Sequence, residues 1–125
     1  MSRQAVISNE IAPPVGPFSP AVRAGEFIFV SGHVAQDPAT RQLIAGDASA
    51  QTAQVLNNVA AVLRAAGKTL ADAVKVNVFL TDMQDFARMN AVYERYFEAP
   101  YPARTTVAVA ALPLGAAVEM EVVAR

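Results

Sequence analysis

The chain predicts an α+β fold, a mixed β-sheet with two helices packed on one face. Two stretches repeat apolar residues at three- and four-residue steps, the signature of amphipathic helices. Short apolar or alternating segments, bounded by glycine and proline, read as strands. Their order is strands, helix, strand, helix, strands, and such a core suggests helices layered on a sheet. The 125 residues amount to one domain, 1–125, since single domains cluster near about 100–150 residues.

Gln4 to Ile7 is a short strand. Ile11 to Pro20, IAPPVGPFSP, holds prolines 13, 14, 17 and 20 and forms an extended loop, because proline cannot donate to a ladder. Ala21 to Arg23 and Phe27 to Ser31 flank Gly25-Glu26 as two strands around a tight turn. Asp37 to Asp47 is turn-rich, with a short strand expected at Gln42 to Ile44. Ala48 to Ala66 is a helix with the stripe Thr52, Val55, Leu56, Val59, Val62, Leu63 and Ala66. Asp47 or Ser49 caps its start, and Gly67 suits the left-handed position after its end. Thr69 to Asp72 has a capping-box pattern. Ala73 to Leu80 is a strand with Val74, Val76, Val78 and Leu80 on one face. Thr81 or Asp82 starts a second helix, which runs to about Phe97 with Phe86, Met89, Tyr93 and Phe97 as its stripe. Two strands finish the chain, Arg104 to Ala111 and Ala117 to Ala124. The short turn between them, with Pro113 and Gly115, allows them to be neighbours.

The composition is greasy: 54% of residues are apolar and 17% charged, against about 25% charged in an average chain. A membrane span needs about 20 predominantly apolar residues. The uncharged run Ala48 to Leu63 is interrupted by Ser49, Gln51, Thr52, Gln54, Asn57 and Asn58. No signal-peptide pattern opens the sequence, so a soluble, cytoplasmic chain is expected. The surplus apolar surface is then expected at a subunit interface. With 10 basic and 11 acidic residues the net charge is −1, which lacks the basic excess of a nucleic-acid binder. The absence of cysteine excludes disulfides and thiolate chemistry. The single histidine, His33, excludes zinc sites built on paired histidines. No phosphate-binding loop or nucleophile elbow is present.

What remains is a set of polar and aromatic residues in unusual places. Arg104 opens a strand after two prolines and is either a surface arginine or a bidentate carboxylate clamp. Glu119 shares its strand face with Glu121, and is either solvated or held in a cleft to handle a proton. Ser31 is a turn hydroxyl or a cleft hydroxyl. Asn90 lies off the apolar stripe of the second helix, facing solvent or a ligand. Phe18 is a core plug or an aromatic wall. These residues suggest a cleft without fixing a reaction.

Five segments together identify a resemblance: GPFSPAVRAGEFIFVSGHVAQDPATRQL, QTAQVLNNVAAVLRAAG, VKVNVFLTDMQDFARMNAVYERYF, PARTTVAVAALP and VEMEVVA. The chain resembles the RidA (YjgF/YER057c/UK114) family of reactive-intermediate imine deaminases, from about residue 10 to the C-terminus. The resemblance implies a chorismate-mutase-like fold and a homotrimer with a central β-barrel, its active sites lying between subunits. It implies hydrolysis of 2-enamine or 2-imine acids, such as 2-aminoacrylate, to 2-oxo acids and ammonia, with no metal or organic cofactor. By position it makes Arg104 and Glu119 catalytic. Arg104, Phe18, Ser31, Asn90 and Thr106 become substrate-binding. Phe18 stands where many members have tyrosine, Thr106 where cysteine is common, and His33 where glutamine is common. Those departures keep two alternatives open: a deaminase for another substrate, of aminomuconate type, and a non-catalytic trimer that binds small ligands in the same cleft. A role on RNA or in translation is disfavoured by the charge balance.

Overall fold

The computed structural model describes residues 2–125. Its elements are β1 (Gln4–Val6), β2 (Ala21–Ala24), β3 (Phe27–Val34), α1 (Ala48–Ala65), β4 (Ala73–Leu80), α2 (Phe86–Tyr96), β5 (Ala103–Ala108) and β6 (Val118–Ala124). The strands form one six-stranded sheet in the order β1-β2-β3-β6-β4-β5. Only β4 and β5 run parallel, joined by the α2 crossover; the other pairs are antiparallel. Both helices cover one face, as expected for the α+β class. The core lies between, built on Ile28, Val55, Leu56, Val59, Leu63, Val76, Val78, Leu80, Met89 and Met120.

The polar residues of α1 have structural work. Gln51, Thr52 and Asn58 are buried. The Asn58 amide donates to the carbonyls of Val34 and Gln36, and Gln51 accepts from the Ala117 amide at 2.8 Å. These bonds fasten the helix to the ends of β3 and β6, satisfying groups that would be costly to bury alone. Asp47 caps the helix by accepting from the Ala50 amide. Gly67 at φ 76 closes it, with the Lys68 amide bonded back to Leu63. Thr69 and Asp72 form the expected capping box.

Several expectations are corrected. Gln42 to Ile44 makes only an isolated bridge, Leu43 to Gln36. Val74 is exposed, because the register between β4 and β6 shifts between Ala73 and Lys75. Asp82 caps a short 3₁₀ turn, Met83–Asp85, and α2 follows it. β5 ends at Ala108. The last two strands are not a hairpin: β4 lies between β5 and β6. The chain from Val109 to Ala117 therefore has to cross β4, and β5 becomes an edge.

The sheet's second face is uncovered by helices. It carries Phe29, Phe79, Val107 and Val123 among Lys75, Asn77, Thr105, Glu119 and Glu121, so it is mixed rather than uniformly apolar. Four of these polar residues pair locally, Asn77 donating to Glu121 and Lys75 to Thr105, each at 2.9 Å.

Candidate functional site

Arg104 stands opposite Val76 in the parallel ladder. Val76 is a core residue, so this register turns Arg104 to the helix face. There its guanidinium carbon lies 4.7 Å from the centroid of Tyr93 and 5.6 Å from that of Phe86. Both rings belong to α2. Such cation–π contacts hold a guanidinium by about 1 kcal/mol while leaving its edge donors free. The ion pairs among the described residues join Arg64 to Glu10, Arg88 to Asp85 and Arg125 to Glu26, so none engages Arg104. Arg104, Asn90, Tyr93, Tyr101 and Pro102 line a cavity of about 290 Å³. Asn90 is therefore not off the stripe as expected. It follows Phe86 by four residues and precedes Tyr93 by three, so it shares their side of the helix.

Two hydroxyls near this arginine have no partner: Tyr93 Oη and Thr106 Oγ1 are both buried and unbonded. Thr106 lies two residues beyond Arg104, opposite Val78. Burial raises the Tyr93 phenol above its ordinary value, and the Arg104 charge opposes that only in part. The phenol therefore stays protonated at neutral pH, able to donate.

Glu119 lies in a different cavity. It pairs with Phe79 of β4 and Val34 of β3 and alternates with the buried Val118 and Met120, which turns it to the open face. The ladder between β3 and β6 is interrupted between Val30 and His33, so Ser31 and Gly32 bulge out of register. A Cβ on Gly32 would sit 2.9 Å from Glu119 Cδ and 3.0 Å from Oε2. Only glycine leaves room for that carboxylate where it stands. Burial, and then the charge of Glu121, raise the Glu119 carboxyl above its ordinary value.

The proline loop forms the far wall of a cavity of about 200 Å³, where Phe18, His33, Gly32, Leu114 and Glu119 meet. Ser31 fastens this loop. Its hydroxyl donates to the Ser19 carbonyl at 2.6 Å, and its amide donates to the Pro20 carbonyl at 2.9 Å. In this structure Ser31 thus uses its proton to position Phe18. His33 Nε2 lies 3.4 Å from the same Pro20 carbonyl. Burial lowers the imidazole, and that bond offsets it partly, so the ring is neutral at pH 7.

The candidate residues thus form two groups. Arg104, Asn90 and Thr106 are on the helix side, and Glu119, Phe18, Ser31 and His33 surround the other cavity. The sequence reading of Arg104 and Glu119 in one cleft through a hairpin is corrected: within one chain they point to opposite faces. Tyr93, Phe86 and Gly32 were read only as core or turn residues. The signal for the first two was the spacing around Asn90; nothing local marks Gly32. A roomier groove of about 840 Å³ runs between α1 and α2, walled by alanines with Arg88 and Arg95; it contains neither group. Among the described residues no cluster of His, Cys, Asp or Glu is placed to hold a metal, and no helix is long and apolar enough to cross a membrane.

A six-stranded sheet with two helices on one face, with Arg104 outside the ion pairs of the described residues and Glu119 partly buried in a separate cavity, defines an α+β protein. The family model described as endoribonuclease L-PSP matches residues 9–125, and the chain belongs to this RidA (YjgF) family. It is 48% identical over 120 residues to a RutC family protein of Pyrococcus horikoshii, covering 95% of each chain. It is 42% identical over 120 residues to the 2-iminobutanoate/2-iminopropanoate deaminase of Bos taurus, covering 95% of this chain and 88% of that one. The crystal structure of RidA from an Antarctic Psychrobacter superposes with a TM-score of 0.93 at 43% identity, covering 97% of this chain and 98% of that one.

Proposed function

We propose that the chain, acting as one domain, is a hydrolytic deaminase of 2-imino and 2-enamino acids, and that it works as a homotrimer. The observation that carries this reading is the separation of an unpaired Arg104 from a shielded Glu119. Each cavity holds half of the chemistry, and a neighbouring copy supplies the other half. The uncovered sheet face and the exposed edge β5 are the surfaces through which copies would meet, and the apolar composition supports such burial. The name borne by the cattle relative supports the reaction class.

The chemistry follows from the groups. Arg104, steadied by Tyr93 and Phe86, binds the substrate carboxylate through two parallel hydrogen bonds. Asn90 and Thr106 add polar contacts beside it, and Phe18 packs against the ligand from the other subunit. Carbon 2 of the imine is then fixed in front of Glu119. The ionised carboxylate takes a proton from water as the oxygen attacks that carbon, forming a carbinolamine. That proton passes to the imine nitrogen; the carboxylate then takes the hydroxyl proton and delivers it to the same nitrogen as the C–N bond breaks, so that ammonia leaves behind a 2-oxo acid. A carboxyl whose pKa is raised toward neutrality is a better base while still ionised.

A dehydratase that generates 2-aminoacrylate provides the test. Pyruvate release in its presence should accelerate with this protein, and Arg104→Ala or Glu119→Gln should abolish the acceleration. Rates equal to spontaneous hydrolysis would exclude 2-aminoacrylate as substrate. Light scattering checks the assembly: a monomer at micromolar concentration would overturn the two-subunit site.

A further inference from the structure

Among the described residues, two that are not glycine have left-handed backbone, Arg41 at φ 66 and Leu114 at φ 61. Leu114 is the unexpected one. It is apolar, 58% exposed, and lies in the turn before β6. Leucine in this conformation is disfavoured by its Cβ, whereas glycine is not. No core burial compensates for that cost. What the conformation achieves is placement, because Leu114 forms part of the wall of the Glu119 cavity.

Phe18, 54% exposed, and the exposed Val15 line the same space. The cavity therefore has one carboxylate, Glu119, with His33 and Gln36 as its other polar side chains, and apolar residues over the rest of its wall. Its volume of about 200 Å³ equals that of about seven liquid waters. A hydrolytic water and an imine carbon fill only part of it. The remainder is an apolar recess adjoining the reacting atoms, and it suits the side chain of the substrate.

We infer that Leu114, with Phe18 and Val15, forms a side-chain subsite that favours 2-imino acids carrying a branched aliphatic chain, of leucine size, over the three-carbon imine. This inference rests on the deaminase reading for its chemistry. Its binding test reads no turnover, because 2-oxo acids are stable compounds that share the carboxylate and side chain of the imines.

The experiment is calorimetric titration of the full chain with 4-methyl-2-oxopentanoate and with pyruvate. The wild type should bind the larger acid about tenfold tighter or better, the range that a few methylenes provide in an apolar pocket. Leu114→Asn and Leu114→Gly should reduce that ratio severalfold. Both residues tolerate left-handed backbone better than leucine, so the melting temperature should hold or rise. Equal affinities in the wild type would overturn the subsite. So would variants that keep the ratio, including any that change only the oligomer mass, since Leu114 would then serve the turn or a subunit contact. Hydrolysis of 2-iminopropanoate, measured in parallel, judges the deaminase reading separately. A protein that hydrolyses no imine yet shows the leucine-dependent ratio retains the subsite and loses the reaction.

Discussion

Arg104 sits on an edge strand with two aromatic rings beside its guanidinium, whereas Glu119 sits on an inner strand behind a glycine and under a proline loop. The arginine is held by attraction: ring faces favour the cation, and its donors stay free. The glutamate is held by exclusion, with space reserved at Gly32 and water partly removed, so that its charged form is penalised. The difference teaches what separation within one chain leaves available: among the described residues no carboxylate pairs with Arg104, and no cation stands among the causes that set the Glu119 carboxyl above its ordinary value.

The largest expected effect tests that separation directly. Arg104→Ala and Glu119→Gln should each reduce kcat/KM for 2-iminopropanoate by about 100-fold or more. Unfolded and refolded together, the two inactive variants should recover about a quarter of wild-type activity, because random mixing pairs an intact arginine with an intact glutamate across some subunit boundaries. No recovery would place both groups of each site in a single chain.

Gly32→Ala should come next, lowering kcat/KM by about tenfold. The added methyl meets the far end of a flexible side chain, so the carboxylate moves while the fold survives; an unchanged melting temperature with reduced kcat would show this. Full activity would mean that the carboxylate position seen here is not the working one.

The pH dependence separates the two halves further. Glu119 is easier to protonate in the fold than in the unfolded chain, where its value is near 4.5. Its environment thus favours the fold below that value, and this contribution is lost as pH rises through the raised folded value. Glu119→Gln should therefore melt higher than wild type at about pH 7, with the gap closing toward about pH 4. The acid limb of the kcat/KM profile should lie above the ordinary carboxylate range. A gap independent of pH would assign the change to packing.

The smallest effect belongs to Tyr93. Tyr93→Phe keeps the ring beside Arg104 and removes a buried hydroxyl with no partner. Stability in urea should rise by about 1 kcal/mol at fixed protein concentration. A loss of stability would show that the hydroxyl is bonded in the assembled protein.

Much of this was legible along the chain. The stripe of α1, the cap at Asp47, the glycine after it and the capping box at Thr69 depend on neighbours within a few residues, and all stand where the spacing puts them. The bounds of β4 were read correctly for the same reason. Val74 was misplaced because its exposure depends on a register shift against β6, a strand more than 40 residues away. Arg104 and Glu119 were singled out because charge in an apolar strand is conspicuous, and the family resemblance agreed.

By itself the sequence determined where most of the helices and strands lie, that an apolar surplus needs burial, and that thiols are absent from the groups the chain offers. These follow from composition and from periodicities of a few residues. Tertiary structure alone decided that β4 separates β5 from β6. It also set the rings of α2 beside Arg104, kept the space at Gly32 for Glu119, and turned Leu114 over the same cavity. Strand order and close approach are products of long-range packing, and no local pattern encodes them.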